Sequence, residues 1–154
     1  MTQIDLVPVE LVFRSDPAEV RGALQQVSAA MRDLRVGADD RGTVELVLAE
    51  VLNNIAEHAY AGAPEGAIAL TLMPSNARLA CRVVDYGRAM PGGVPPPGLE
   101  ANLDVALQDL PEGGFGWFLI RELVSELSYR RVDHANELGF WLPWTIASDA
   151  PIPA

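Results

Sequence analysis

A chain of 154 residues with 49% hydrophobic and 21% charged side chains is long enough to bury a real core, and it is expected to form a single domain over 1–146. Its formal charge of −10 argues against nucleic acid as a direct partner, because that binding needs cationic side chains to neutralise phosphates; it suits a basic protein partner instead. All eleven cationic residues are arginine, which excludes every chemistry built on a lysine: the P-loop, the Schiff base and the kinase-type strand lysine.

No apolar run approaches the roughly 20 residues of a membrane span, so no membrane association is expected. The start, "MTQIDLVPVE", lacks a basic segment followed by an apolar one, so no signal peptide is evident. Cys81 is the one cysteine, which rules out an internal disulfide and fits a cytoplasmic setting.

In chain order, 4–13 ("IDLVPVELVF") reads as a strand, with Pro8 pointing to a sheet edge. "DPAE" opens a helix, with Asp16 as N-cap, Pro17 at the first position and Glu19 as its acidic partner. Val20, Leu24, Val27, Met31 and Leu34 give that helix one buried stripe, and "RVGADD" is expected to break it. A second helix is predicted from about Thr43 to Tyr60. Val44, Val47, Leu48, Val51, Leu52, Ile55 and Ala59 lie on one side of it, and Glu50, Asn53, Asn54 and Glu57 on the other.

Residues 66–86 alternate apolar with other side chains around "PSN", the pattern of two antiparallel strands joined by a tight turn. Glycine and proline then dominate 87–114, with a short helical segment in "LEANLDVALQDL"; so long a loop in a compact domain is usually functional. "GGFGWFLIRELVSEL" is a glycine cluster running into a helix. "SYRRVDH" and "NELGFWLPW" read as two closing strands, and 147–154 as a disordered tail. The order of elements predicts an α+β sandwich, with helices on one face of a largely antiparallel sheet.

Three segments carry candidate chemistry. Glu50 and Asn54 sit one helical turn apart on one face. A carboxamide oxygen suits Mg²⁺, and a neighbouring carboxylate can take a proton from a hydroxyl or a water. For that pair alone a solvated helix face is the commoner explanation. In "VVDYGRAM", Asp85 ends a strand and could accept from an adenine amino group, with Gly87 leaving room for the ring; a strand-ending turn explains it equally well. Gly113, Gly114 and Gly116 precede a helix whose first amides are free, which is an anion-binding arrangement; a flexible hinge before the helix is the other explanation.

In this order and spacing the three segments resemble the Bergerat-type (GHKL) ATPases, which include histidine-kinase catalytic domains, gyrase-like ATPases and anti-sigma-factor kinases. "EVLNNIAEHAY" resembles the N box, "DYGRA" the adenine-binding G1 box and "GGFGWFLIRELVSEL" the G2 box; the likeness spans about 9–143. "HAY", the brief lid and the run "GGFGWFLIRELVSEL" are most similar to the anti-sigma-factor serine/threonine-protein kinases.

The resemblance implies a Bergerat-type two-layer sandwich, with a mixed, mainly antiparallel sheet and a short ATP lid over about 88–113. It implies ATP and Mg²⁺, and phosphorylation of a STAS-type antagonist. A sigma factor as a further partner and a homodimer are implied as well. Carried over by position, Asn54 would ligate Mg²⁺ and Glu50 would act as general base. Asp85 would read the adenine amino group beside Gly87. Gly113, Gly114, Phe115, Gly116 and Trp117 would present backbone to the phosphates, with Arg121 near them. His58 is expected to pack as part of "HAY".

The chain departs from the family pattern at Ala89, where the G1 box has a second glycine, which bears on the lid hinge. The lid carries Pro91, Pro95, Pro96 and Pro97, which stiffen it. Asn136 follows Ala135 where such kinases tend to show Gly-Asn, with no lysine after it. Two alternatives stay open beside the kinase. One is a catalytically weak nucleotide-binding module that sequesters a sigma factor or STAS partner. The other is a simple ATPase in which Glu50 activates water.

Overall fold

The structure, a computed structural model, describes residues 6–97 and 115–146, apart from the side chain of Phe115. The second half of the expected lid, with its helical segment, and Gly113, Gly114 and the tail lie outside the described residues.

The elements follow the order β1 (Val9–Arg14), α1 (Pro17–Asp33), α2 (Ala38–Asn54), a π-helical turn (Ile55–Ala59), β2 (Ala67–Pro74), β3 (Arg78–Asp85), a 3-10 turn (Pro91–Gly93), α3 (Phe115–Leu123), β4 (Ser125–Val132) and β5 (Ala135–Pro143). The five strands form one sheet in the order β1-β2-β3-β5-β4. All four pairings are antiparallel. The strand with Pro8 before it is an edge, as its composition suggested.

Alternation along the strands sets the core. Ile68, Leu70 and Leu72 of β2, Leu79, Cys81 and Val83 of β3, and Leu138, Phe140 and Leu142 of β5 are buried on one face. Val20, Ala23, Val27 and Met31 of α1, and Val44, Val47, Leu48, Val51 and Leu52 of α2, belong to the same core. Trp117 and Ile120 add α3 to it. The opposite sheet face stays open, with Val12 79% and Met73 56% exposed.

Helix α1 starts as the sequence predicts: the Asp16 carboxylate accepts from the Ala18 amide at 3.1 Å, with Pro17 in the first turn. The Ser28 hydroxyl donates to Glu45 Oε1 at 2.7 Å and ties α1 to α2.

Two helix ends differ from expectation. α2 begins at Ala38 rather than near Thr43, with Gly37 as N-cap and Asp39 and Asp40 in its first turn. Those carboxylates favour the positive end of the helix dipole, so "GADD" starts a helix rather than only ending one. α3 ends at Leu123, and Ser125 already belongs to β4. A register irregularity between Ser125 and Ser128, with Glu126 at φ +56°, turns the chain into the sheet. Leu127, expected in the helix, is thereby a strand position, and with Tyr129 it packs against the core.

The β4–β5 connection is a two-residue turn with Asp133 at φ +48° and His134 at φ +69°. Left-handed conformations at both central positions match the twist of paired strands. This tight turn fixes which residues of β4 lie opposite β5, and so sets Arg131 across from Asn136.

Candidate functional site: a cavity beside the α2–α3 contact

A cavity of about 380 Å³ opens between the end of α2, the π turn, the segment 88–96 and the ends of β3, β4 and β5. Val51, Ile55, Ala59, Ala89, Met90 and Leu138 give it apolar walls, and Asn54, Asp85, Tyr129 and Asn136 are its polar members. Such a composition, apolar with a few placed polar groups, is that of a small-ligand pocket.

Asp85 is only 4% exposed because it continues the inward row of Leu79, Cys81 and Val83 on β3. Its Oδ1 accepts from the Gly87 amide at 2.9 Å and from Asn136 Nδ2 at 2.8 Å. Burial pushes the carboxyl above the usual carboxylate range, and the Asn136 amide, the Gly87 amide and the Arg131 charge pull it back. Gly87 is required by space. A Cβ there would lie 2.4 Å from the carbonyl oxygen of Ala59, whose backbone cannot yield cheaply.

The π turn explains that close approach. Inserting one residue into a helical turn rotates the rest of the helix by about 100° from the α-helical register. The carbonyls of His58 and Ala59 then hold the chain after β3: the Arg88 amide donates to Ala59 at 2.8 Å, and the Arg88 guanidinium to His58 at 2.9 Å. His58 is therefore not packed as expected. Its side chain is 61% exposed and sits at the cavity wall. Tyr60, the last residue of "HAY", does the anchoring. Its hydroxyl donates to the Ala67 carbonyl at 2.5 Å and accepts from the Tyr86 amide at 2.7 Å.

Glu50 and Asn54 lie against the first turn of α3. A Cβ on Gly116 would stand 2.5 Å from Glu50 Oε2 and 3.5 Å from Asn54 Nδ2. Gly116 thus leaves a cradle between the carboxylate, the carboxamide and the helix start. Asn54 Nδ2 is buried without a hydrogen-bond partner among the described residues. A buried orphan of this kind calls for a ligand, and a carboxamide whose nitrogen has no acceptor can turn its oxygen to a cation instead. The residues therefore fit Mg²⁺ held through one amide oxygen. No group of three His, Cys, Asp or Glu forms a metal cage among the described residues, so the remaining ligands would be phosphate oxygens and water. Asn53 is exposed and does not line the cavity.

Of the other sequence-predicted residues, Trp117 is buried and forms part of the cavity wall. Arg121 does not line the cavity. Its guanidinium donates to the carbonyls of Pro96 at 2.8 Å and Pro95 at 2.7 Å. Ala89 has no left-handed φ, so alanine fits this position without strain.

Sequence reasoning assigned no role at the site to Tyr129, Arg131, Arg88 or Met90. It noted Asn136 only as a departure. The usable signal was register: in the closing hairpin Asn136 pairs with Asp85 across β3–β5, and Arg131 with Asn136 across β4–β5.

Residues 13–141 match the family described as "Histidine kinase-like ATPase domain". A curated relative, "Serine/threonine-protein kinase BtrW" of Bordetella bronchiseptica, is 37% identical over 109 residues, 71% of this chain and 74% of the relative. Among solved structures, the RsbU and RsbW domains of a Mycobacterium tuberculosis protein superpose with a TM-score of 0.59 at 14% identity, over 92% of this chain and 35% of that one. The latter likeness concerns the fold, and the chain spans about a third of that solved chain.

Proposed function

The chain belongs to the histidine kinase-like ATPase domain family, and on that premise we propose that it is an ATP- and Mg²⁺-dependent serine/threonine-protein kinase that phosphorylates a STAS-type anti-sigma-factor antagonist. One observation carries this reading: the orphaned amide of Asn54 and the Glu50 carboxylate converge on the cradle left by Gly116 at the start of α3. The relative named as a serine/threonine-protein kinase supports the choice of acceptor chemistry.

In this reading adenine enters the apolar cavity, and its amino group donates to Asp85. Val51, Ile55 and Leu138 exclude water from the ring. The first amides of α3, beginning at Gly116, point along the helix dipole toward the phosphates. Asn54 would hold Mg²⁺, which would supply the positive charge that offsets the phosphates. Glu50 accepts the proton of the attacking serine or threonine hydroxyl while the γ-phosphoryl passes to that oxygen and ADP leaves. Arg121 holds the root of the lid through Pro95 and Pro96. The assembly goes with a sigma factor as a second partner and with a homodimer.

The test is transfer of labelled γ-phosphate from ATP to the purified antagonist. Glu50→Ala is expected to keep ATP binding and to lose transfer by about 10²–10⁴-fold, the usual worth of a general base. Transfer by Glu50→Ala at the parent rate would overturn the kinase mechanism and favour a module that binds its partner without phosphorylating it.

A further inference from the structure

Three polar side chains stand on the core-facing side of the closing hairpin, where a sheet interior would ordinarily be apolar: Tyr129, Arg131 and Asn136. The carboxamide of Asn136, which is 3% exposed, has its orientation fixed from both ends. Its Oδ1 accepts from the Tyr129 hydroxyl at 2.5 Å and from Arg131 Nη1 at 3.0 Å. Its Nδ2 donates to Asp85 Oδ1 at 2.8 Å and to the Arg88 carbonyl at 2.9 Å, with the Gly87 carbonyl at 3.4 Å. Turning the amide over would set its oxygen against a carboxylate and two carbonyls, and its amino group against a cation. The Tyr129 hydroxyl accepts from the Met90 amide at 3.0 Å, which leaves its own proton for Asn136. Donors therefore point one way, from the Met90 N–H through Tyr129 and Asn136 to Asp85. Met90 is the residue from which the 3-10 turn of the lid starts.

We infer that Tyr129 and Asn136 are positioning residues that hold Asp85 as a hydrogen-bond acceptor for the adenine amino group, and that the same relay couples this carboxylate to the root of the lid. The inference rests on the reading of Asp85 as the adenine-recognising group.

Among the described residues, both hydrogen bonds to Asp85 fall on Oδ1. Oδ2 is left as the acceptor that a ligand must satisfy. Adenine presents a donor at its 6-position, and guanine presents a carbonyl. A buried carboxyl deprived of donors takes up a proton more readily and then serves a carbonyl as well as an amine. Cutting the relay should therefore relax the preference for adenine over guanine. It should also move the acid limb of ATP binding to higher pH. The other titratable or charged groups around Asp85 are the Tyr60 hydroxyl, occupied by the Tyr86 amide, Arg131, and His58 and Arg88 at the cavity wall. All of them are kept in the test variants.

The experiment measures ATP and GTP affinity by calorimetry from mildly acidic to neutral pH, beside thermal melting, for the parent and three variants. Tyr129→Phe removes only the hydroxyl. Asn136→Thr and Asn136→Val have one shape, and only the threonine can donate to Asp85. The expected result is a loss of up to about 10-fold in ATP affinity for Tyr129→Phe, the scale of one hydrogen bond, with a smaller ATP-over-GTP ratio and an acid limb displaced to higher pH. Asn136→Thr should keep more of the preference than Asn136→Val. Parental ratio and pH profile in Tyr129→Phe, or identical behaviour of the two Asn136 variants, would overturn the relay while leaving adenine recognition standing. A parent without preference for ATP, or Asp85→Asn with the parental preference, would overturn both.

Discussion

Asp85 is an acid placed where the strand pattern calls for an apolar side chain, and folding pushes its carboxyl up through burial. A raised carboxyl means that the folded state prefers the proton. The stability this contributes is full below the ordinary carboxylate range and is lost as pH rises through the raised value. Asp85→Asn should therefore melt higher relative to the parent as pH increases through that window, while losing its preference for adenine nucleotide; differential scanning fluorimetry over a pH series reads the first effect. A melting difference that does not change with pH would contradict the buried, ionising carboxyl. Cys81 is the second buried titratable group of β3, and burial pushes its thiol far up. It should stay unreactive to a thiol reagent in the native chain and react only on unfolding. Both residues were visible in the sequence as members of one alternating strand, and Glu50 and Asn54 as neighbours on one helix face. Tyr129 and Asn136 were not legible as site residues. Their contact with Asp85 depends on two strand pairings that bring residues 85, 129 and 136 together, and no local pattern encodes that.

The elements meet at two glycines with opposite consequences. At Gly87 an added methyl would meet the backbone of the π turn, so Gly87→Ala should cost about 1–3 kcal/mol by overpacking. At Gly116 the obstacle is the end of the Glu50 side chain, which can swing away. Gly116→Ala should accordingly melt within a few degrees of the parent and still lose phosphotransfer, because the carboxylate and the helix amides no longer share the cradle. Melting and transfer assays on the two variants separate these cases; a strongly destabilised Gly116→Ala would contradict the geometry. The α-helices and strands of the fold were all legible in the sequence, and their ends were misplaced where charge or a bulge decided the matter. The start of α2 turned on Asp39 and Asp40 serving the helix dipole. The end of α3 turned on Leu127, whose spacing from Leu123 suits a helix as well as the strand it joins. The π turn had no sequence signal, since it differs from an α-helical turn by one residue, and this is why the exposure of His58 was missed.

At the scale of the molecule, the cations are not spread evenly. Arg14, Arg78, Arg82 and Arg130 alternate onto the open face of the sheet in a chain whose formal charge is −10. Glu137 pairs there with Arg82 and Arg130, and Arg78 stacks 3.4 Å from the centre of the Trp141 ring. The face therefore combines exposed Val12 and Met73 with guanidinium groups, while the cavity lies on the helical side. A homodimer in solution is expected from the family resemblance; light scattering that returns only a monomer at every accessible concentration would remove it from the account and leave the nucleotide site untouched.

The central claim is that the row on α2 is a site for Mg²⁺ and ATP and not a solvated helix face. Calorimetric titration of the parent and of Asn54→Ala with ATP, in the presence and absence of Mg²⁺, tests it most directly. The parent is expected to bind ATP more tightly with Mg²⁺, and Asn54→Ala to lose that metal-dependent gain while remaining folded. Mg²⁺-dependent ATP binding by Asn54→Ala equal to the parent, or no ATP binding by the parent at millimolar concentration, would contradict it.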